Sequence, residues 1–260
     1  MYLACASVCY RWNLRLNRWG DDEVDTCLAD APQAGYDYVE LQGRLKADTI
    51  GQQLRSHGLK GAVVGASIGG SNPEEIEAAA IFAAERIDLG ETLGGRFLYT
   101  GPASGCRRRE PGNMERFVAG VERVLELTSE SSMTLAIENH PEMILTCLED
   151  WDRLFGLIDH PRVGICVDVG HFHSCHQDSI ALIRTFGARV FDVHLKDHIA
   201  EQSVAIGRGE IDIPGVVDAL HAVGYRGPLT VELEVEDKPN IRRYVREAYL
   251  YLKGMLGQKL

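Results

Sequence analysis

Eight short runs rich in branched and aromatic residues recur along this 260-residue chain, with helix-like segments between them. The runs are YLACASVC, YDYVEL, LKGAVVGAS, GRFLYTG, MTLAIEN, VGICVDVGH, RVFDVHLKD and PLTVELE. Several are apolar in near-continuous blocks, a composition that suits strands buried on both faces. Parallel strands need a long crossover between them, and a helix provides one. Unbroken strand–helix alternation therefore predicts an α/β fold with its parallel strands closed into a (β/α)8 TIM barrel, one domain over residues 1–260. A doubly wound open sheet is the structural rival.

The helix-like segments carry their own punctuation. In residues 72–94, Asn72 is placed to accept a backbone N–H, Pro73 suits the first helical position, and Glu74 and Glu75 favour the positive end. In residues 113–132, Phe117, Val121, Val124 and Leu125 form one apolar stripe. AGYDYVEL and VGYRGPLTVE each place a glycine between the end of a helix and the next strand. GRGEID at 207–212 lacks the third glycine of a dinucleotide loop and does not follow a strand directly.

A net charge of -11 argues against a nucleic-acid binder, which needs a basic face. The densest basic cluster, CRRRE at 106–110, reads as a solvated loop, with an anion-binding arginine as the alternative. Seven cysteines with no CxxC pair form neither a zinc-finger nor a disulfide pattern, so the expected compartment is the reducing cytoplasm. MYLACASVCYRW is too short for a membrane span and has no basic segment before it; neither a signal peptide nor a membrane association is expected.

In such a barrel the active site lies at the carboxyl ends of the strands. The fifth run reaches Glu138, then Asn139 and His140; the sixth reaches Asp168, then His171. The seventh arrives at His194, followed by Lys196 and Asp197, and the eighth at Glu232, with Glu234 two residues on. A lone carboxylate at a strand end usually caps a helix or joins an ion pair. Four ionisable groups on four consecutive strands converge on one place, because neighbouring strands lie about 4.8 Å apart. Three carboxylates and an imidazole so crowded repel unless a cation neutralises them. One divalent ion does this, and an oxygen-rich set with one nitrogen suits Mn²⁺, Mg²⁺ or Co²⁺, with Zn²⁺ also admissible.

VDVGH, VHLKDH and GYRGPLTVELE make the chain resemble the xylose isomerase-like TIM barrels, a group of sugar and sugar-phosphate isomerases, ketose 3-epimerases, inosose dehydratases and hydroxypyruvate isomerase. The likeness covers essentially the whole chain and is strongest from about residue 133 onward. It implies that Glu138, Asp168, His194 and Glu232 hold the metal and that His171 binds a substrate oxygen. The ketose-epimerase branch carries an arginine and a further glutamate where this chain has Ala200 and Ile144. That departure counts against a psicose or tagatose type of specificity and leaves Lys196 and His140 as substrate contacts.

The expected activity is isomerisation or epimerisation of a sugar, sugar phosphate or related polyol. Glu138 and Glu232 exchange a proton next to a carbonyl through a metal-stabilised enediolate, as ligands that also act as acid and base. Lys196 stabilises the oxyanion or binds a phosphate. Glu40 lines the pocket from the opposite wall or forms a structural ion pair. Asn139 and His140 support Glu138. Glu234 is the alternative ligand, Asp197 braces the seventh-strand loop, and His173 and His198 are loop residues. Trp12 and Trp19 pack near the first strand or cover the sugar. The competing readings are an inosose-type dehydratase on the same scaffold, an apurinic-site endonuclease and a barrel that only binds sugar. Relatives of this kind suggest a homodimer or homotetramer.

Overall fold

The computed structural model describes residues 1–11, 22–43, 45, 47–101, 106, 107 and 110–257, without the side chains of Asp22 and Ala62. Trp12, Trp19, Arg108 and Arg109 lie outside the described residues. Eight parallel strands close into a barrel: β1 Tyr2–Ala6, β2 Tyr38–Leu41, β3 Gly61–Gly65, β4 Phe97–Thr100, β5 Thr134–Glu138, β6 Val163–Asp168, β7 Val190–Leu195 and β8 Pro228–Val231. Each pairs with its sequence neighbours, and β8 closes on β1 with Tyr2 opposite Pro228 and Cys5 opposite Val231. The barrel expectation holds and the open sheet does not.

Nine helices lie among the described residues: α1 Asp22–Ala34, α2 Ala47–Ser56, α3 Pro73–Thr92, α4 Asn113–Leu127, α5 Leu148–Leu157, α6 Val169–Ser174, α7 Ser179–Phe186, α8 Ile213–Ala222 and α9 Ile241–Gly257. The main apolar core includes Phe117, Val121 and Val124 of α4, the stripe read from the sequence. A second apolar group of Val63, Phe97, Ala136 and Cys166 sits on the strands themselves, one or more residues before their carboxyl ends. Asn72 Oδ1 accepts from Glu75 N at 2.9 Å and starts α3 as expected.

Three local departures have clear causes. The first run stops being a strand at Ala6: residues 7–10 form a 3-10 turn, with Gln42 N donating to Ser7 Oγ at 3.0 Å. Helix α4 ends at Leu127, short of residue 132, where Thr128 Oγ1 donates to Val124 O at 2.7 Å and Arg162 donates to Thr128 O at 2.7 Å. After β7 the chain forms an antiparallel hairpin, Asp197–Ile199 with Gln202–Val204.

Gly164 on β6 allows β6 and β7 to approach closely: a Cβ there would lie 2.4 Å from both Arg189 O and Phe191 Cε2. Gly164→Ala is expected to lower the free energy of unfolding by about 1–3 kcal/mol, the usual range for overpacking. Urea denaturation checks this, and an unchanged midpoint at equal slope would contradict the close approach.

Candidate metal centre

Alternation along the strands puts Asp192 and His194 on one side of β7, Cys166 and Asp168 on one side of β6, and Ala136 and Glu138 on one side of β5. Register then brings the ends together. Asp168 lies opposite His194, Glu138 opposite Cys166, and Glu232 N donates to Leu195 O at 3.0 Å just beyond β8. Glu138, Asp168, His194 and Glu232 are all buried, and each offers one ligand atom within 4.8 Å of the others. His194 Nδ1 is 2.9 Å from Glu138 Oε1, 2.7 Å from Glu232 Oε2 and 3.9 Å from Asp168 Oδ2. Two atoms bound at right angles to one small divalent ion lie about 3 Å apart, and opposite ones about 4.2 Å apart.

The other imidazole nitrogen strengthens the case. His194 Nε2 lies 3.0 Å from Glu40 Oε2 and 3.4 Å from Asp192 Oδ2. A carboxylate only accepts, so this contact assigns the proton to Nε2. Nδ1 faces carboxylate oxygens that likewise only accept, so that edge of the ring has to hold either a proton or a metal ion. Asp168 Oδ2 and Glu232 Oε2 are buried without a hydrogen-bond partner, although Lys196 Nζ stands 2.9 Å from the first and His194 Nδ1 2.7 Å from the second. Proximity without donor alignment is what metal-facing oxygens show. These residues fit a divalent ion.

A proton competes for the same place. Burial disfavours charge on His194, but Cys166, Glu40 and Glu232 around it outweigh burial and hold its pKa well above the ordinary value. A metal ion bound at Nδ1 would therefore displace a proton. Affinity for a divalent ion is expected to tighten as pH rises and weaken as it falls, which titration against a chelator at several pH values checks. A pH-independent affinity would remove Nδ1 from the ligand set.

Glu40 lies behind the imidazole, fully buried, with Gln42 Nε2 donating to its Oε1 at 2.8 Å. It pairs with His194 Nε2, one of the two places read from the sequence. Burial pushes its carboxyl up to about 7, against the pull of His194. Asn139 ties β5 to β6: its Nδ2 donates to Asp168 O at 3.0 Å, and its Oδ1 accepts from Asp168 N at 2.8 Å. Asp168 also caps α6, accepting from His171 N at 2.7 Å. This helix brings His171 to the cluster, with Nδ1 donating to Asn139 O at 3.0 Å and the ring 4.4 Å from that of His140.

Lys196 is fully buried, its Nζ 2.9 Å from Asp168 Oδ2, 2.8 Å from Glu234 Oε2 and 3.4 Å from Glu232 Oε2. Gly170 lets its stem pass: a Cβ there would fall 2.7 Å from Lys196 Cδ. Burial opposes the charge on Lys196, but the surrounding carboxylates outweigh it and raise its pKa. Glu234 is engaged by this ammonium and lies outside the four-residue cluster. Asp197 braces the loop after β7, its carboxylate accepting from the backbone N–H groups of Gly207 at 2.9 Å and Gly209 at 2.8 Å.

His198 is buried and borders a cavity of about 690 Å³ beside the cluster, together with His140, His171 and Glu234. Its sequence context, one residue past an aspartate in a loop, gave no sign of this. Tyr99 was also missed: its hydroxyl donates to Glu138 Oε2 at 2.6 Å. Ile144, at the place of the epimerases' further glutamate, is buried in the apolar core. Ala200, at the place of their arginine, is exposed at the turn between the two hairpin strands. Cys5, Cys9, Cys27, Cys106 and Cys166 carry free thiols. Among the described residues no helix is long and apolar enough to cross a membrane.

Residues 28–255 match the xylose isomerase-like TIM barrel family, and the chain belongs to that family. Over 248 residues it is 27% identical to the rhizopine catabolism protein MocC of Rhizobium meliloti, covering 83% of this chain and 76% of that one. It is 26% identical to an inosose dehydratase of Geobacillus thermodenitrificans, over 54% of each chain. The chain thus spans about half the length of that dehydratase. Among solved structures, D-allulose 3-epimerase from Methylomonas sp. in complex with D-allulose superposes with a TM-score of 0.80 at 17% identity, covering 98% of this chain and 97% of that one. The IolI protein with a bound zinc atom does so at 0.80 and 16%, covering 100% and 99%. These likenesses show the fold.

Proposed function

We propose that this chain is a divalent-metal-dependent isomerase or epimerase of a sugar, sugar phosphate or related polyol, moving a proton next to a carbonyl. The observation that carries the proposal is the convergence of His194 Nδ1 with oxygens of Glu138, Asp168 and Glu232, while Glu40 holds Nε2 from behind. Glu138, Asp168, His194 and Glu232 would hold the ion, in the order of strands β5 to β8. When bound, the ion supplies Lewis-acid polarisation of the carbonyl and an adjacent hydroxyl.

The chain's own groups do the rest. Glu138 and Glu232 stand at the ends of non-adjacent strands, and with Glu232 Oε2 turned to the ion position, the other oxygen of that carboxylate would accept a carbon-bound proton and return it. With Nδ1 donating to Asn139 O, His171 has Nε2 as an acceptor, which faces Lys196 Nζ at 3.5 Å and which a substrate hydroxyl would have to share. Lys196 commits N–H groups to Asp168 and Glu234, and a substrate oxygen would compete for the third with Glu232 Oε2 at 3.4 Å and His171 Nε2 at 3.5 Å. His140 stacks on His171 and closes that side of the cavity. Cavities of a few hundred Å³ suit small ligands.

Incubating the metal-loaded protein with a panel of keto-sugars and inososes in deuterated water tests the reading. Deuterium gained next to the carbonyl, without loss of water, is the expected result. An unsaturated or deoxy product would move the assignment to a dehydratase, the activity of the inosose relative. Binding without exchange, whatever divalent ion is supplied, would defeat both.

A further inference from the structure

We propose that Tyr99 is a positioning residue for Glu138, its hydroxyl holding one carboxylate oxygen so that the other alone faces the metal position. The inference rests on the reading of Glu138 as a ligand. Tyr99 is on β4, next to β5, with Tyr99 opposite Ala136 in register. Its hydroxyl reaches Glu138 Oε2 at 2.6 Å, while Glu138 Oε1 lies 2.9 Å from His194 Nδ1. The Tyr99 ring packs 4.8 Å from the His194 ring, tilted by 41°. Gly65 opposite makes room: a Cβ there would be 3.0 Å from Tyr99 Cδ1. One side chain therefore touches two members of the cluster, one by its oxygen and one by its face.

This contact makes the two glutamates inequivalent. Glu232 Oε2 has no hydrogen-bond partner, whereas Glu138 Oε2 is held by a phenol at short distance. The phenol takes one acceptor site of Oε2 and holds that oxygen toward β4, which leaves Oε1, the oxygen beside His194 Nδ1, facing the ion position. A single-oxygen grip leaves coordination positions open for substrate oxygens, which a site that binds a carbonyl and a hydroxyl together requires. Removing a group that orients a metal ligand commonly weakens metal affinity about 10–100-fold.

The test is a thermodynamic cycle read by metal affinity, not by turnover. Apo forms of the wild type, Tyr99→Phe, Glu138→Gln and the double variant are titrated with Mn²⁺ or Zn²⁺ against a chromophoric chelator. Phenylalanine keeps the ring on His194 and removes only the hydroxyl, so a packing role alone would leave the affinity unmoved. The expected result is a loss of about tenfold or more in Tyr99→Phe, with the double variant no weaker than Glu138→Gln. Wild-type affinity in Tyr99→Phe beside a weakened Glu138→Gln would overturn the role of Tyr99 and leave the ligand reading standing. Independent, multiplying losses would place the effect of Tyr99 elsewhere and overturn it too. An unweakened Glu138→Gln would take down the ligand reading and the inference together. Crystals of the metal-loaded wild type give a second check: Glu138 bound through both oxygens, with Tyr99 turned away, would also overturn it.

Discussion

Glu232→Gln is expected to lower turnover by about 10²–10⁴, the usual worth of a positioned acid or base. Glutamine keeps the length and one oxygen of the side chain but cannot carry the proton. The loss should therefore persist at metal concentrations that restore full occupancy. Glu232 is the stronger test of the two glutamates, because no hydroxyl holds its carboxylate as Tyr99 holds Glu138 Oε2. Deuterium exchange at the substrate's acidic carbon, followed with whichever compound the panel returns, is the measurement. Exchange at the wild-type rate in the metal-saturated variant would remove Glu232 from the proton-transfer role.

Lys196→Met is expected to destabilise the metal-free protein by about 3–5 kcal/mol, the cost of leaving a buried partner charge unpaired. The ammonium is fully buried among Asp168, Glu232 and Glu234, and methionine keeps most of its apolar stem. Burial alone would raise the Asp168 carboxyl; His171, Lys196 and His194 outweigh it and hold it below the ordinary range. Lys196 likewise pulls Glu234 down to about 2. Carboxyls depressed on folding stabilise the protein above their unfolded value near pH 4, and that stability is lost as pH falls through the folded one. Wild-type stability should therefore decline between about pH 4 and 2, and Lys196→Met should flatten this acid limb. Saturating metal should recover part of the variant's loss, because the ion replaces the missing positive charge. Equal stability of the two apo proteins at neutral pH would show that Lys196 is not the counter-charge of the cluster.

The barrel was legible because several of the buried parallel strands are nearly continuous in apolar residues and the segments at 72–94 and 113–132 between them carry a helix cap and an apolar stripe. The four clustered residues were legible for a related reason. Glu138, Asp168, His194 and Glu232 end or closely follow apolar runs, where a charge is costly without a partner. Glu40 carried the same mark in YVEL, but the sequence does not say how far along the barrel axis a side chain sits. Only the closure of the barrel brings it onto Nε2 of His194, 154 residues away. Tyr99 was illegible because a tyrosine in FLYT is ordinary strand composition, and its importance comes from one oxygen meeting a carboxylate 39 residues away. His198 was hidden by the hairpin after β7, which folds back and buries a residue that its local sequence marks as loop.

Anomalous diffraction from crystals loaded with Mn²⁺ would test the central claim most directly. One peak is expected at the mouth of the barrel, with His194 Nδ1 and an oxygen each from Glu138, Asp168 and Glu232 at about 2.0–2.2 Å. A crystal at saturating Mn²⁺ with no peak there, or with the ion on the Nε2 side of His194 between Glu40 and Asp192, would contradict it.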